Sequence, residues 1–218
     1  MTLCLVALCV IFTAACSASG SDVPSKDSIM VHLEAPEFSN FDEMKDFLSI
    51  IIEGGYPTQV NLEDCFDFGE LLSDSTQNGI SLRGYYYTND DGIGVYFCEG
   101  YSVNYSCGTS ISYFGELRSE EHSKELRSAS EVYTNVADVF SGSDGNKWIE
   151  TEKAYVRYTL SDAKITGVYF IFDERSVYIN FESPQGVVES SFANELRTDS
   201  GLQATLSKII EILAAGSN

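Results

Sequence analysis

Acidic side chains are the most numerous groups in this sequence that could take part in catalysis. Asp64 and Asp67 form one close pair, and Asp90 and Asp91 form another. A glycosidase needs two such carboxylates, one as general acid and one as base or nucleophile. Because the chain contains 33 acidic residues, pairs of this kind also arise by chance. The pairs therefore make a secreted hydrolase the alternative to a non-enzymatic function.

No nucleophile or metal motif accompanies the carboxylates. The sequence contains no Gly-x-Ser-x-Gly, no HExxH and no Walker glycine loop, and its two histidines, His32 and His122, are isolated. A Cys–His pair would have to join Cys65 to one of them. The stretch "SGSDGNKWIETE" lacks the alternating aspartates of a calcium loop, so at most a weak site at Asp144 and Asn146 is conceivable. We therefore predict no catalytic, cofactor or metal residues.

Aromatic side chains are the other groups that could bind a ligand. Tyr85 and Tyr87 lie in the run "GYYYT", whereas Trp148, the only tryptophan, precedes a strand that begins near Tyr155. Such rings could form a ligand patch on a sheet. The structural alternative is that the tyrosines fit a half-buried strand and that Trp148 packs a loop onto the sheet edge. Both interpretations stay open at the level of sequence.

The N-terminus indicates export. "LCLVALCVIFTAAC", residues 3–16, is an uncharged apolar run that is shorter than the ~20 residues a bilayer span needs. Small residues follow it, so we expect a signal peptide over residues 1–18, cleaved after Ala15 or Ala18. Alternatively, residues 13–16 form a bacterial lipobox, with a lipid on Cys16. Secretion is the expected localisation, and lipid anchoring is the alternative.

Export also bears on the cysteines and on glycosylation. Three of the six cysteines lie outside the N-terminal run, namely Cys65, Cys98 and Cys107. An oxidising compartment favours a disulfide, and we expect Cys98 to pair with Cys107 across two antiparallel strands, with Cys65–Cys98 as the rival pair. Asn104 begins the only N-x-S/T sequon, so it is a candidate glycosylation site if the host is eukaryotic.

The charge of the chain narrows the range of partners. A net charge of −20 disfavours nucleic acids and anionic membranes, because both carry the same sign. With 44% hydrophobic residues the chain can still bury a substantial core. A small-molecule or protein ligand is therefore the expected partner.

Two helices are predicted at opposite ends of the folded region. Apolar residues recur at helical spacing over residues 41–53, with Asn40 or Ser39 as cap and Gly54 as terminator. A second stripe covers residues 202–214, with Asp199 or Ser200 as cap.

Between the helices, alternating apolar residues predict strands. "TQVNLEDCF", "ISLRGYYYT", "GIGVYFCE", "YSVNYSC" and "TSISYFGEL" come first, and a polar, helical insert follows at "SEEHSKELRSA". "AYVRYTL", "KITGVYFIF" and "SVYINFES" then form an antiparallel meander whose middle strand is apolar on both faces. We predict an α+β fold, with an antiparallel sheet of six to nine strands and the two helices packed on it. Residues 19–38 form a flexible polar arm, and residues 39–218 form a single domain.

The run "FDEMKDFLSIIIEGGYPTQVNLEDC" followed by "GISLRGYYYTNDDGIGVYF", and later "YVRYTLSDAKITGVYFIF", resembles the VirK-like family of exported proteins. The resemblance covers residues 41–97 and 153–172. It departs from the family where Asp162-Ala163-Lys164 replaces an expected Asp-Gly turn, and in the insert at residues 117–150. The resemblance implies an exported domain with a helix and an antiparallel sheet, but no activity and no site residues. We therefore expect a secreted, acidic, non-enzymatic binding protein.

Overall fold

A computed structural model describes residues 29–32, 36–55, 58–72, 75–88, 94–115, 124–126, 128–129, 131–172 and 175–215. At residues 29–32, 85–88 and 94–97 it describes the backbone alone. The predicted signal peptide, Cys16, the turn pair Asp90–Asp91 and His122 lie outside the described residues.

The helices lie at both ends of the described chain and in its middle. They are α1 (Phe41–Glu53), α2 (Val136–Val139), α3 (Ser191–Glu195) and α4 (Asp199–Ala215). Two 3-10 turns, Leu62–Asp64 and Gly69–Leu72, lie between α1 and the first long strand.

Most of the remaining described residues are in strands. The strands are β1 (Ile29–His32), β2 (Glu37–Phe38), β3 (Gln77–Thr88), β4 (Gly94–Tyr105), β5 (Ser110–Phe114), β6 (Val132–Tyr133), β7 (Gly145–Glu150), β8 (Tyr155–Ser161), β9 (Lys164–Ile171), β10 (Ser176–Asn180), β11 (Glu182–Ser183) and β12 (Gly186–Val187).

One large sheet organises the fold. Its main path has nine strands in the order β1-β3-β4-β5-β10-β9-β8-β7-β6, and β2 adds a short pair to β3. Every described pair in this sheet is antiparallel except β6 with β7. The fold is therefore α+β with a mostly antiparallel sheet, as the sequence predicts.

The predicted meander is confirmed as β8, β9 and β10. Seven of the eight residues of β9 are buried, because both faces of this central strand are covered. Side chains alternate between an inner and an outer face. The inner face carries Tyr101, Val156, Phe170 and Val177 in one register row, and it shares one buried cluster with Leu48 of α1 and Leu206 of α4.

Both ends of α1 agree with the prediction from its sequence. The Asn40 side chain accepts a hydrogen bond from the Glu43 backbone N–H at 3.0 Å, and the Glu43 carboxylate accepts one from the Ser39 N–H at 2.9 Å. These bonds satisfy donors that the first turn of a helix leaves unpaired. At the other end Gly54 is still right-handed, and Gly55, with φ of +74°, turns the chain away.

The start of α4 corrects the prediction by one residue. Thr198, rather than Asp199 or Ser200, caps the helix, because its hydroxyl accepts a hydrogen bond from the Gly201 N–H at 3.1 Å. The Asp199 carboxylate instead accepts a hydrogen bond from the Val136 N–H at 2.8 Å, which connects α4 to α2. A contact with a residue far away in the sequence thus occupies the Asp199 side chain, which the local sequence predicts as the helix cap.

One strand assignment and the bound of the predicted arm differ from the structure. "TQVNLEDCF" contributes only an isolated bridge at Thr58 and a 3-10 turn, since the Asp64 carboxylate and Asn61 satisfy each other's polar groups locally. The predicted arm ends earlier than residue 38, because residues 29–32 and 37–38 pair with β3. The long β3 requires partners along its second edge, and the arm supplies them.

The expected Cys98–Cys107 disulfide was also wrong. The two predicted strands "GIGVYFCE" and "YSVNYSC" are one continuous strand, β4, so Cys98 lies within this strand and Cys107 follows its end, rather than facing Cys98 across a hairpin. A strand advances about 3.3 Å per residue, which separates them far beyond disulfide reach. Among the described residues no disulfide joins Cys65, Cys98 or Cys107, and the rival pair is therefore not formed either.

Candidate functional site

The outer face of the sheet carries a continuous row of polar and aromatic side chains. The row takes one residue from each of seven neighbouring strands: Ser81, Ser102, Ser112, Tyr178, Tyr169, Arg157 and Trp148. We call these seven residues the polar row. The strands position them in register, because each ladder fixes which residues stand opposite one another.

At one end of the polar row, a chain of hydrogen bonds involves Arg83, two residues beyond Ser81. Arg83 Nε donates to Ser102 Oγ at 2.7 Å, and Ser102 Oγ lies 2.7 Å from Ser112 Oγ. The Arg83 guanidinium also lies over the Phe114 ring, 5.3 Å from its centre. This end of the row therefore presents a cation over an aromatic ring beside two buried hydroxyl groups.

At the other end, Arg157 lies among aromatic rings. Its guanidinium carbon is 4.4 Å from the centre of the Tyr169 ring and 5.6 Å from that of Trp148. Only 12% of the Arg157 side chain is exposed, and the Glu125 carboxylate forms an ion pair with it. Among the described residues, Arg157 Nε has no hydrogen-bond partner. A recessed guanidinium with an unused donor favours an anionic ligand group.

Tyr178 lies between the two arginines. Its ring stacks on Tyr169 with 4.0 Å between ring centres and 18° between planes. Burial raises the pKa of Tyr178 to about 12, and although nearby Tyr169 and Glu182 act in the same direction, Arg157 and Arg83 act against them. Tyr178 thus remains a neutral hydroxyl near neutral pH, and both guanidinium groups act on it.

Gly167, which has no side chain, leaves space beside the Tyr178 ring. A Cβ atom at position 167 would lie 2.3 Å from the Tyr178 hydroxyl oxygen, which is a severe overlap. Ser176, two residues before Tyr178, is fully buried, and among the described residues its hydroxyl has no partner. A buried hydroxyl without a partner costs free energy in the folded state.

The polar row is made of hydroxyl, aromatic and guanidinium groups. Its seven members include no carboxylate and no imidazole. Asp64 and Asp67, the described carboxylate pair, hold local turns: Asp64 bonds Asn61, and Asp67 accepts from the Gly69 N–H at 2.8 Å. Among the described residues, no group of three or more His, Cys, Asp and Glu side chains could hold a metal ion.

The structure brings two of the four predicted patch residues onto the outer face. Trp148 belongs to the polar row, but it is 5% exposed and packs in a buried cluster with Phe114, Tyr169 and Ile171. Tyr155 is 37% exposed, and its hydroxyl donates to Glu150 at 3.3 Å. The side chains of Tyr85 and Tyr87 lie outside the described part of the chain. The packing interpretation of Trp148 therefore agrees with its burial.

Two other candidates have structural partners. Asn104 is half-buried in the interior strand β4, and its amide donates to Ser81 Oγ at 3.2 Å. Glycosylation there stays a prediction, and a glycan would have to break that bond. Asp144, the weak calcium candidate, accepts from the N–H groups of Asp162 at 2.6 Å and Ala163 at 3.1 Å. It holds the β8–β9 turn.

Sequence reasoning missed Arg83, Arg157 and Ser176 as site residues. The alternation in "AYVRYTL" places Arg157 on one strand face with Tyr155 but assigns it no role. An arginine in the middle of a strand between aromatic residues was the available signal, because such a cation needs an aromatic or anionic neighbour. Nothing in the local sequence of Ser176 distinguishes it.

No protein-family model matches the chain, and neither a curated protein nor a solved structure matches it. Within the part of the chain that the structure describes, no helix is long and apolar enough to cross a membrane.

Proposed function

We propose that this protein is a secreted, non-enzymatic binding protein whose ligand binds at the polar row of the outer face. The ligand combines a carboxylate with a flat aromatic or apolar group. The VirK-like resemblance fits an exported binding domain, and it remains part of this proposal. The buried residues of α1 and α4 belong to the inner-face cluster, whereas Leu126 and Ala129 pack on the outer-face cluster beside Trp148.

The observation that carries the proposal is the environment of Arg157. Its guanidinium lies on aromatic rings, with Glu125 as the acidic partner that reaches it. Glu125 is about half exposed, so an external carboxylate can compete with it. The Arg157 side of this ion pair is recessed, since only 12% of that side chain is exposed, so a ligand carboxylate has to replace the interaction with Glu125. The ion pair with Glu125 thus supports a carboxylate as the group that the site accepts.

The stacked rings explain why the ligand should also have a flat group. Tyr169 and Tyr178 present parallel faces, and stacking of aromatic pairs adds about 0.5–1.5 kcal/mol beyond the burial of area. The buried Ser176 hydroxyl and Arg157 Nε would gain the hydrogen bonds that they lack. The free energy of binding thus comes from hydrogen bonds to these unpaired donors as well as from other new contacts.

Trp148 provides a direct assay, because it is the only tryptophan and lies against Arg157. The protein is titrated with benzoate at constant ionic strength while Trp148 fluorescence is recorded, and benzamide serves as the uncharged control. We expect a saturable change with benzoate and none with benzamide. Equal responses to both probes, or no binding of benzoate by equilibrium dialysis, would contradict the proposal.

Three variants connect binding to the site. Arg157→Gln should abolish benzoate binding, whereas Glu125→Gln should tighten it up to about fivefold, since the internal competitor is lost. Arg197→Gln is the matched control: Arg197 also lies over an aromatic ring, 4.2 Å from the centre of Phe140, but it lies outside the polar row. If Arg197→Gln weakens binding as much as Arg157→Gln, the polar row is not the binding site.

A further inference from the structure

A second arginine, Arg83, lies on the outer face of the sheet beside the polar row. It stands in register with Gly100 of β4, and Gly100 stands in register with Phe114 of β5. Because Gly100 has no side chain, the Arg83 side chain can cross β4 and place its guanidinium over the Phe114 ring, 5.3 Å from the ring centre. The hydrogen bond from Arg83 Nε to Ser102 Oγ, at 2.7 Å, holds the guanidinium in this position.

Arg83 and Arg157 differ in their acidic partners. Glu125 forms an ion pair with Arg157, whereas no carboxylate within the described part of the chain forms one with Arg83. Arg83 is half-buried, and the described residues give its two terminal nitrogens no hydrogen-bond partner. The chain contains 33 acidic residues against 13 lysines and arginines, so carboxylates are abundant and yet none of the described ones is used here. The N–H donors of both terminal nitrogens are therefore open to a carboxylate from outside the chain.

Two aromatic rings connect the guanidinium groups of Arg83 and Arg157. The centres of the Phe114 and Tyr169 rings are 6.3 Å apart, with 24° between the planes. The guanidinium carbon of Arg83 is 5.3 Å from the first centre, and that of Arg157 is 4.4 Å from the second. These three distances, laid end to end, are the longest separation that the two guanidinium carbons can have. A single aromatic ring with a carboxylate at each end, together with the ion pairs that the carboxylates form, covers a distance of this order.

Tyr178 shows that both cations act on the same part of the surface. Burial raises the pKa of Tyr178, nearby Tyr169 and Glu182 act in the same direction, and the Arg157 and Arg83 guanidinium groups both oppose this rise. Tyr178 is only partly buried, so the region that both cations influence is not closed off completely. An anionic ligand would meet two positive charges there, and Glu182 is the acidic side chain that would act against it.

We propose that the outer-face site binds ligands that carry two carboxylates at opposite ends of a flat body, one held by Arg157 and the other by Arg83. This inference rests on the proposed function, because it uses the same site and adds a second anion contact to it. The carboxylate at Arg157 replaces Glu125, whereas the carboxylate at Arg83 replaces no described side chain. The ligand class is therefore narrowed from monocarboxylates to dicarboxylates.

The test compares ligands that differ only in the spacing of their carboxylates. The wild-type protein is titrated by calorimetry, at constant ionic strength, with benzoate and with the isomers phthalate, isophthalate and terephthalate. Terephthalate carries its carboxylates at opposite ends of the ring, so we expect it to bind at least about tenfold more tightly than benzoate or phthalate. The isomers have the same charge, so a charge effect alone cannot separate them. Equal affinities for phthalate and terephthalate, or for benzoate and terephthalate, would overturn the inference.

A matched pair of variants assigns the second contact to Arg83. Arg83→Gln should bring the ratio of the terephthalate and benzoate affinities close to one, because the second carboxylate loses its partner. Arg175→Gln is the control: Arg175 also lies over a phenylalanine ring, 5.9 Å from the centre of Phe66, but Phe66 belongs to the inner-face cluster. It should keep the wild-type ratio. If Arg83→Gln keeps the gain for terephthalate, the inference fails; if that variant does not fold, the comparison of isomers on the wild type still decides.

Failure of this inference can be told apart from failure of the proposed function. Binding of benzoate without a gain for terephthalate would overturn the second contact alone. Absence of binding for benzoate and for all of the dicarboxylates would overturn both.

Discussion

The two faces of the sheet both carry tyrosines, but they treat polar groups differently. On the inner face Tyr101 donates to the Phe66 carbonyl at 3.0 Å and accepts from the Phe66 N–H at 2.8 Å. Tyr158 donates to the Leu196 carbonyl at 2.7 Å. On the outer face the Tyr178 hydroxyl reaches only Asn180, at 3.4 Å, and Ser176 and Arg157 keep unused donors among the described residues.

The difference indicates that the two faces have different roles, one in stability and one in binding. The inner-face hydroxyls of Tyr101 and Tyr158 tie the sheet to the segments around Phe66 and Leu196, so they hold the fold together, whereas the Tyr105 hydroxyl on the same face has no partner among the described residues. Outer-face groups are left with hydrogen-bonding capacity that a ligand can use, at a cost to stability. Equivalent substitutions on the two faces should therefore change the stability of the protein by different amounts.

The largest expected effect is a loss of stability at alkaline pH that is caused by buried tyrosines of the inner face. Burial raises the pKa of Tyr101, Tyr113 and Tyr158, so these groups stay protonated in the folded state after their unfolded counterparts ionise near pH 10. Their contribution to stability is complete below that pH and falls as the pH rises, by about 4 kcal/mol per pH unit for three groups. Denaturant unfolding from pH 8 to 11 measures it. Absorbance showing that all 13 tyrosines titrate near pH 10 while the fold persists would contradict it.

The next effect concerns the aromatic cluster at the outer face. Trp148→Ala should destabilise the protein by about 3–5 kcal/mol, because the indole is 5% exposed and packs against Phe114 and Tyr169. Thermal or urea unfolding measures the loss. Tyr155→Ala is the control, since Tyr155 is largely exposed and should cost much less. Stability near that of the wild type, with Trp148 fluorescence that is red-shifted and quenched by iodide, would show that Trp148 is not packed.

A matched pair compares the two faces directly. Tyr101→Phe should destabilise the protein by about 1–3 kcal/mol, because it leaves the buried Phe66 N–H and carbonyl unpaired. Tyr178→Phe should change stability by less than about 0.5 kcal/mol, since its hydroxyl makes one long bond. Unfolding by urea under identical conditions measures both. Equal losses would remove the proposed difference between the faces.

The smallest effect tests a turn that belongs to neither face. Asp162 and Ala163 have φ of 50° and 58°, a left-handed conformation that suits glycine in a two-residue hairpin. Ala163→Gly should therefore stabilise the protein by up to about 1 kcal/mol. Asp144→Ala, the companion change, should lower stability, because the Asp144 carboxylate binds both turn N–H groups. A rise in the melting temperature for the first variant and a fall for the second would support this account.

Local patterns predicted elements well where one segment contained the whole signal. The limits of α1 follow from Asn40, Glu43 and the glycines after Glu53, which are adjacent in sequence. The alternation in "AYVRYTL" and "SVYINFES" predicted β8 and β10 and their buried faces. Prediction failed where a distant group intervened. Asp199 left the helix cap for the Val136 N–H, and the glycine-containing middle of β4 stayed in one strand because β3 pairs with it on both sides of a bulge near Gly84.

The sequence by itself determined the helical ends of the domain, the strand meander, the acidic surface and the short list of chemistries that it lacks. These properties depend on residue types and on spacings within a few positions. Only the tertiary structure decided that Ser102, Tyr178 and Arg157 share one row, that Glu125 reaches that row, and that Cys107 stands apart from Cys98. Their order across the sheet is set by strand pairing between residues far apart in the chain, which no local pattern encodes.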